Sequence, residues 1–261
     1  MDRFKLAIQI AGQLRFLPKA FDHYREIKQE FSNREIDCDF FLSCWDREGF
    51  HGDMSSQGPE VSIEDDKFFK AIELIKQKQK FNLSSYGMTF HFANSTTMRL
   101  NYEKKTGIEY DAVLITRPDL FFEEWVFNNI SDSIKAKGPS NPVAPNCVLT
   151  PTGTTFVLRN KDKSKNGKRT FDLFTEDNLI LGHPIEMNKF IHIDNMIKAG
   201  TIQDGNHKFL SDFLMRMNLL NMPLSTNISR IPKMIDFEEF KKHYKKLVIS
   251  RNIEQKKCHL I

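Results

Sequence analysis

The chain has 261 residues, 40% of them hydrophobic and 28% charged, with a formal net charge of +4. That length suffices for one substantial α/β core, the composition excludes collagen-like and disordered classes, and the mild charge lacks the dense basic stripe of a nucleic-acid binder. Four scattered cysteines, Cys38, Cys44, Cys147 and Cys258, form no C-x-x-C pair; they indicate neither a zinc site nor a disulfide framework and point to a cytoplasmic setting.

The opening "MDRFKLAIQIAGQLRF" holds an apolar stretch too short for a transmembrane helix, broken by Gln9 and without a cleavage-site pattern. "KLAIQIAG", residues 5–12, predicts a strand ending in a glycine, and the apolar spacing of 14–31 predicts a helix after it. "CDFFLSCWD", 38–46, predicts a second strand that ends in Trp45 and Asp46, and the polar stretch 47–60 reads as a loop. The stretch 62–81 has an acidic first turn, Phe68, Phe69, Ile72 and Ile75 at helical spacing, and lysines near its end; all three features predict a helix.

A further helix is expected over 94–110, stopped by Gly107, followed directly by a buried strand "DAVLITR" over 111–117. Alternating strands and helices predict a single α/β domain with a mostly parallel sheet covered on both faces. Prolines 139, 142, 145 and 151 and the basic run "RNKDKSKNGKR" mark 138–170 as a flexible or inserted segment that still contains the β-like runs "CVLT" and "TTFVL". The stretch 174–200 reads as an apolar run, a glycine and then a helix, 207–220 as an amphipathic helix, and 236–257 as a basic C-terminal helix. That last helix has two readings, a solvated face or a peripheral contact with an anionic membrane. Four N-x-S/T triplets, at Asn82, Asn94, Asn129 and Asn227, accompany no secretion signal and read as chance matches.

Three clusters hold residues of chemical interest. In "LITRPDLFF" the proline biases Arg117 toward extended backbone, and extension through Asp119 would project both charges to one face at a strand end, where open α/β sheets hold ligands. The other reading is an ion pair capping the strand. In "IAGQLRF", Gly12 permits a tight turn, Gln13 can donate to a ligand and Arg15 can reach a phosphate; an ordinary β-to-α turn with a surface arginine explains it equally. In "TEDNLILG", Glu176 or Asp177 could stand at a cleft as a base, or Thr175 or Asp177 could cap a helix. His183, His192 and His207 are isolated metal-ligand candidates, each as readily explained as surface or hydrogen-bonded core histidine.

The order "AGQLR", "FFLSCWD", "YDAVLITRPDL", "EDNLILG" resembles a group of bacterial and viral glycosyltransferase-like proteins in the nucleotide-diphosphosugar transferase superfamily, with a GT-A-type, Rossmann-like fold. The resemblance covers roughly residues 4–220, and Y-D-x-V-x-x-x-R-P-D-L is its most specific part. Such proteins usually carry Asp-x-Asp at this strand end, whose carboxylates hold Mn²⁺ or Mg²⁺ against the donor diphosphate. Arg117 replaces the first acid here. The resemblance therefore implies that Asp119 meets the metal while Arg117 neutralises phosphate charge directly. It further implies that Asp46 contacts ribose or base, that Asp177 is the base or orients the acceptor, and that the partners are a nucleotide sugar and a glycan, lipid or small acceptor. A catalytically silent nucleotide- or glycan-binding domain of the same fold is the alternative, which loss of Asp-x-Asp would allow.

Overall fold

The computed structural model describes residues 3–14, 17–48, 60–63, 66–75, 86–136, 146–151, 154–159, 170–175, 178–202 and 208–224. In chain order they form β1 (Phe4–Gly12), α1 (Leu17–Asn33), β2 (Ile36–Trp45), a 3₁₀ turn (Asp66–Phe68), β3 (Phe69–Ile75), α2 (Tyr86–Thr106), β4 (Ala112–Thr116) and α3 (Glu124–Lys135). There follow β5 (Cys147–Thr150), β6 (Thr154–Arg159), β7 (Thr170–Thr175), β8 (Leu179–Gly182), α4 (Pro184–Met187), a second 3₁₀ turn (Asn188–His192), α5 (Ile193–Lys198), α6 (Lys208–Arg216) and β9 (Leu220–Pro223).

The fold is α/β, with a seven-stranded sheet in the order β3-β2-β1-β4-β8-β5-β9 flanked by helices. β3, β2, β1 and β4 run parallel to one another, β8 is antiparallel to both neighbours, and β9 is parallel to β5. β6 and β7 make a separate antiparallel pair. Such a sheet buries both faces, which explains why β1 and β4 are nearly continuous apolar runs. From β1, Leu6, Ile8 and Ile10 enter one core with Tyr24, Ile27 and Phe31 of α1 and Val126 and Ile130 of α3. Ala7 and Ala11 face the other core, beside Phe92 of α2, Ile193 of α5 and Phe213 of α6.

Gln9 shares that second face and is fully buried, so its amide must be bonded internally. Its Nε2 donates to Ser95 and Thr96 of α2, both at 3.0 Å, and its Oε1 accepts from Arg99 Nε at 3.1 Å. Arg99, itself fully buried, completes its fork with Glu103 at 2.6 Å and with Asn188. This network fixes α2 and the second 3₁₀ turn against the centre of the sheet.

The stretch expected as a helix over 62–81 is instead, in its described part, the first 3₁₀ turn and the edge strand β3. Glu, Leu, Lys and Ala are good helix formers, but the preference is worth only tenths of a kcal/mol per residue, and parallel pairing with β2 from Phe40↔Phe69 to Trp45↔Ile75 overrides it. At an edge, Phe69 is buried while Ile72 and Leu74 are only half-buried, and the helical spacing of Phe68, Phe69, Ile72 and Ile75 is coincidental in a 3₁₀ turn followed by a strand. Within the proline-punctuated 138–170 stretch, Cys147–Thr150 is an interior strand whose four residues are all buried, so the insertion reading does not extend to it. The expected basic helix at 236–257 lies outside the described residues. Among the described residues no helix is long and apolar enough to cross a membrane, and Cys38, Cys44 and Cys147 are unbridged.

Candidate functional site

The strand order reverses between β1 and β4. From β1 the chain builds outward through β2 to β3, then returns to place β4 on β1's other side. The helices that follow these two strands, α1 after β1 and α3 after β4, both pack against the same face of the sheet, and open α/β sheets hold ligands beyond the carboxyl ends of strands where the order reverses in this way. Gly12 ends β1 with φ of +126°, a conformation that side chains with a Cβ rarely adopt. A Cβ there would stand 3.7 Å from Pro118 Cδ, so the end of β1 and the Arg117-Pro118-Asp119 segment are direct neighbours. Gln13 is half-buried at the start of the turn into α1. Arg15 lies outside the described residues.

β4 ends at Thr116, and the segment Arg117 to Glu123 is irregular before α3. Extended strand therefore does not continue to Asp119. The two charges are bonded to one another: Arg117 Nε donates to Asp119 Oδ1 at 2.9 Å and Nη2 to Oδ2 at 2.8 Å. This is the fork-to-carboxylate geometry that makes arginine pairs strong and directional. Asp119 is 5% exposed and Arg117 16% by side chain, so the pair sits at the rim of the core. Both residues make further contacts.

Because β8 runs antiparallel to β4, its beginning lies beside β4's end. Asn178, just before β8, accepts from the Arg117 backbone N–H at 3.2 Å and from Arg117 Nη1 through its side-chain oxygen, also at 3.2 Å. Asp177, its chain neighbour, and Glu176 lie outside the described residues. At the end of β2, the backbone of Asp46 is tied on both sides, its N–H to Ile75 at 2.9 Å and its carbonyl to Val61 N–H at 2.8 Å.

Two residues that sequence reasoning missed come from α1. The Tyr24 hydroxyl donates to the Pro118 carbonyl at 3.0 Å. Burial, reinforced by the negative charges of Cys44 and Asp119 when ionised, holds the Tyr24 phenol well above its ordinary range, so it remains a donor. His23 Nε2 accepts from the Phe122 N–H at 2.9 Å, and its Nδ1 faces Glu26 at 3.1 Å. Burial lowers the His23 pKa, and Glu26 opposes that shift through its hydrogen bond and charge. No local signal marks these contacts in the sequence, since they join residues 94 and 99 positions apart.

The described residues do not fit a divalent cation. Both oxygens of Asp119 accept from Arg117. Among the described residues no three His, Cys, Asp or Glu side chains gather to hold a metal, and His183 instead accepts from Ile185 N–H at 3.3 Å as the cap of α4.

No family model matches the chain, and no curated protein matches it. Among solved structures, a nucleoside-diphosphate-sugar pyrophosphorylase from Vibrio cholerae RC9 is similar over 83% of this chain and 89% of that chain, at 12% identity and a TM-score of 0.36. A similarity that loose assigns neither substrate nor reaction.

Proposed function

We propose that the chain binds a nucleotide-diphosphate sugar beyond the carboxyl ends of β1 and β4 and transfers the sugar to a glycan, lipid or small acceptor. The observation that carries this reading is the reversal of strand order at β1 and β4, with Gly12 and Gln13 on one side of it and Arg117 and Asp119 on the other. Open α/β sheets hold ligands at such a point, and a glycine there lets backbone approach a phosphate closely.

In the transfer, the bond from the anomeric carbon to the diphosphate oxygen breaks with its electron pair left on that oxygen. An acceptor hydroxyl oxygen forms the new bond and gives up its proton. Arg117 stabilises the charge gathering on the leaving diphosphate, a role for which preorganised guanidinium is suited. Asp119 holds the guanidinium plane by two parallel bonds, and Asn178 holds it from the far side. In this reading Gln13 and Arg15 contact the phosphates, Asp46 contacts ribose or base, and Asp177, one residue from Asn178, takes the acceptor proton.

The bidentate pair also supports a second reading, a silent binding domain, because it occupies the carboxylate that matches the metal ligand of related enzymes. Hydrolysis of a panel of sugar nucleotides, with and without Mn²⁺, separates the two. Release of nucleoside diphosphate that is lost on Arg117→Lys supports the transferase. Saturable binding without release supports the silent domain, and neither binding nor release removes both. A peripheral membrane contact through 236–257 belongs to the same proposal; it requires cosedimentation with anionic vesicles and none with neutral ones.

A further inference from the structure

We infer that His23 and Tyr24 of α1 are positioning residues that set the Arg117–Asp119 pair in place for the ligand; this rests on the reading of that pair as part of a diphosphate site. Irregular backbone next to a core must find hydrogen-bond partners outside a strand ladder. Between Arg117 and Phe122 it finds them in α1. Tyr24 takes the carbonyl of Pro118, one residue before Asp119, and His23 takes the amide of Phe122, three residues after it. Consecutive helix residues project about 100° apart, so the two side chains bracket the segment from different directions.

Each anchor is itself immobilised. The Tyr24 ring packs edge-on against Phe21 at 5.8 Å and Phe69 at 6.4 Å and lies beside Phe40. The His23 ring stacks on Phe121 at 4.2 Å and meets the edge of Phe122 at 5.9 Å. Nε2 must be the unprotonated nitrogen to accept from Phe122, which places the ring proton on Nδ1, facing Glu26. Leu120 and Phe122, on either side of exposed Phe121, are 1% and 3% exposed and insert into the core. The segment therefore has few ways to shift without moving α1. Because α1 follows directly on the Gly12 turn, the same helix links the two sides of the switch point.

The test uses Tyr24→Phe, His23→Leu and His23→Gln in the full chain. Gln restores an acceptor near the position of Nε2. Two readouts are taken: proton exchange of the Arg117 Nε–H and Phe122 amide by NMR, and the Kd for a nucleoside diphosphate by calorimetry. Tyr24→Phe is expected to speed exchange at Arg117 Nε–H, and His23→Leu at the Phe122 amide, each by about tenfold, the worth of one buried hydrogen bond. Amides in α5 and β9 should stay unchanged. Both variants should raise Kd, and His23→Gln should return both readouts toward the parent. Unchanged exchange at Arg117 and Phe122 overturns the positioning role, as does a uniform rise at all amides. If the parent binds no nucleoside diphosphate, the diphosphate reading fails by itself, and the exchange data still decide whether α1 positions the pair.

Discussion

Asp119→Ala looks from the sequence like a clean test of catalysis, because a strand-end carboxylate is expected to face a ligand. In the structure that substitution would also remove the carboxylate that takes two bonds from Arg117 at the edge of the core. The informative perturbation is a double-mutant cycle of Arg117→Met and Asp119→Leu. Removing one partner of a buried ion pair costs about 3–5 kcal/mol, since the survivor stays desolvated without its counter-charge. Asp119 is the more buried of the two, 5% against 16% by side chain, so Arg117→Met, which leaves the buried carboxylate, should cost about 3 kcal/mol, and Asp119→Leu, which leaves the partly solvated arginine, falls below that range at about 2 kcal/mol. Replacing both with apolar groups removes the stranded charge, and the double variant should fall within about 1 kcal/mol of the parent. Urea unfolding at neutral pH, with tryptophan fluorescence as the probe, gives all four stabilities. The coupling should be at least about 4 kcal/mol; additivity within about 0.5 kcal/mol would refute a mutually dependent pair.

Three other outcomes follow from the same geometry. Burial lowers the His91 pKa to about 3, so as pH falls below the ordinary imidazole value the unfolded chain takes up a proton that the folded chain refuses. Stability contributed by neutral His91 is complete above that value and is lost on acidification, by about 2 kcal/mol between pH 7.5 and pH 5. Urea midpoints at the two pH values measure it, and His91→Asn, which keeps a partner for Ser43, should remove that part of the slope. Arg99→Met breaks the fork to Gln9, Glu103 and Asn188 and should cost about 3–5 kcal/mol in the same assay; a loss below 1 kcal/mol on that scale contradicts the network's role. Gly12→Ala meets no steric block, its Cβ being 3.7 Å from Pro118, so its cost should be conformational, about 1–3 kcal/mol from φ alone. A nucleotide titration of that variant then shows whether close backbone approach also matters for binding.

How legible the molecule was depends on the range of the forces involved. β1 and β4 are nearly continuous apolar runs, and β2 is largely apolar from Phe40 to Trp45, because both faces of the sheet are covered, and that property is local enough to read. The Gly107 stop is local too, and the structure places it just past α2 with φ of +70° and its N–H bonded to Glu103. β3 misled because its identity depends on pairing with β2 and its edge position, neither of which is written in its own residues. Only Leu220 of β9 falls inside the helix expected over 207–220, and neither the rest of that short strand nor α3 carries a pattern that the sequence reading assigned.

At the candidate site the sequence put Arg117 and Asp119 at the end of a strand, but their closeness to Gly12 is visible only in the structure, where a Cβ on Gly12 would stand 3.7 Å from Pro118 Cδ. It did not separate a pair that faces a ligand from a pair whose members bind one another, because that depends on where the strand stops. Asn178 stood inside a quoted motif, yet its neighbouring acids drew the chemical reading. Tyr24 and His23 were invisible as site residues because on a helix they read as ordinary core positions.

The most direct measurement is calorimetric titration of nucleoside diphosphates, with and without Mn²⁺, into the parent chain and the Arg117→Met/Asp119→Leu double variant, whose stability is expected to match the parent. The parent should bind at least one nucleoside diphosphate saturably, and the double variant should bind it at least about tenfold more weakly, the effect of losing a charge-assisted contact. Equal affinity in both proteins, or no binding by the parent across the panel, contradicts a diphosphate site at the β1–β4 switch point.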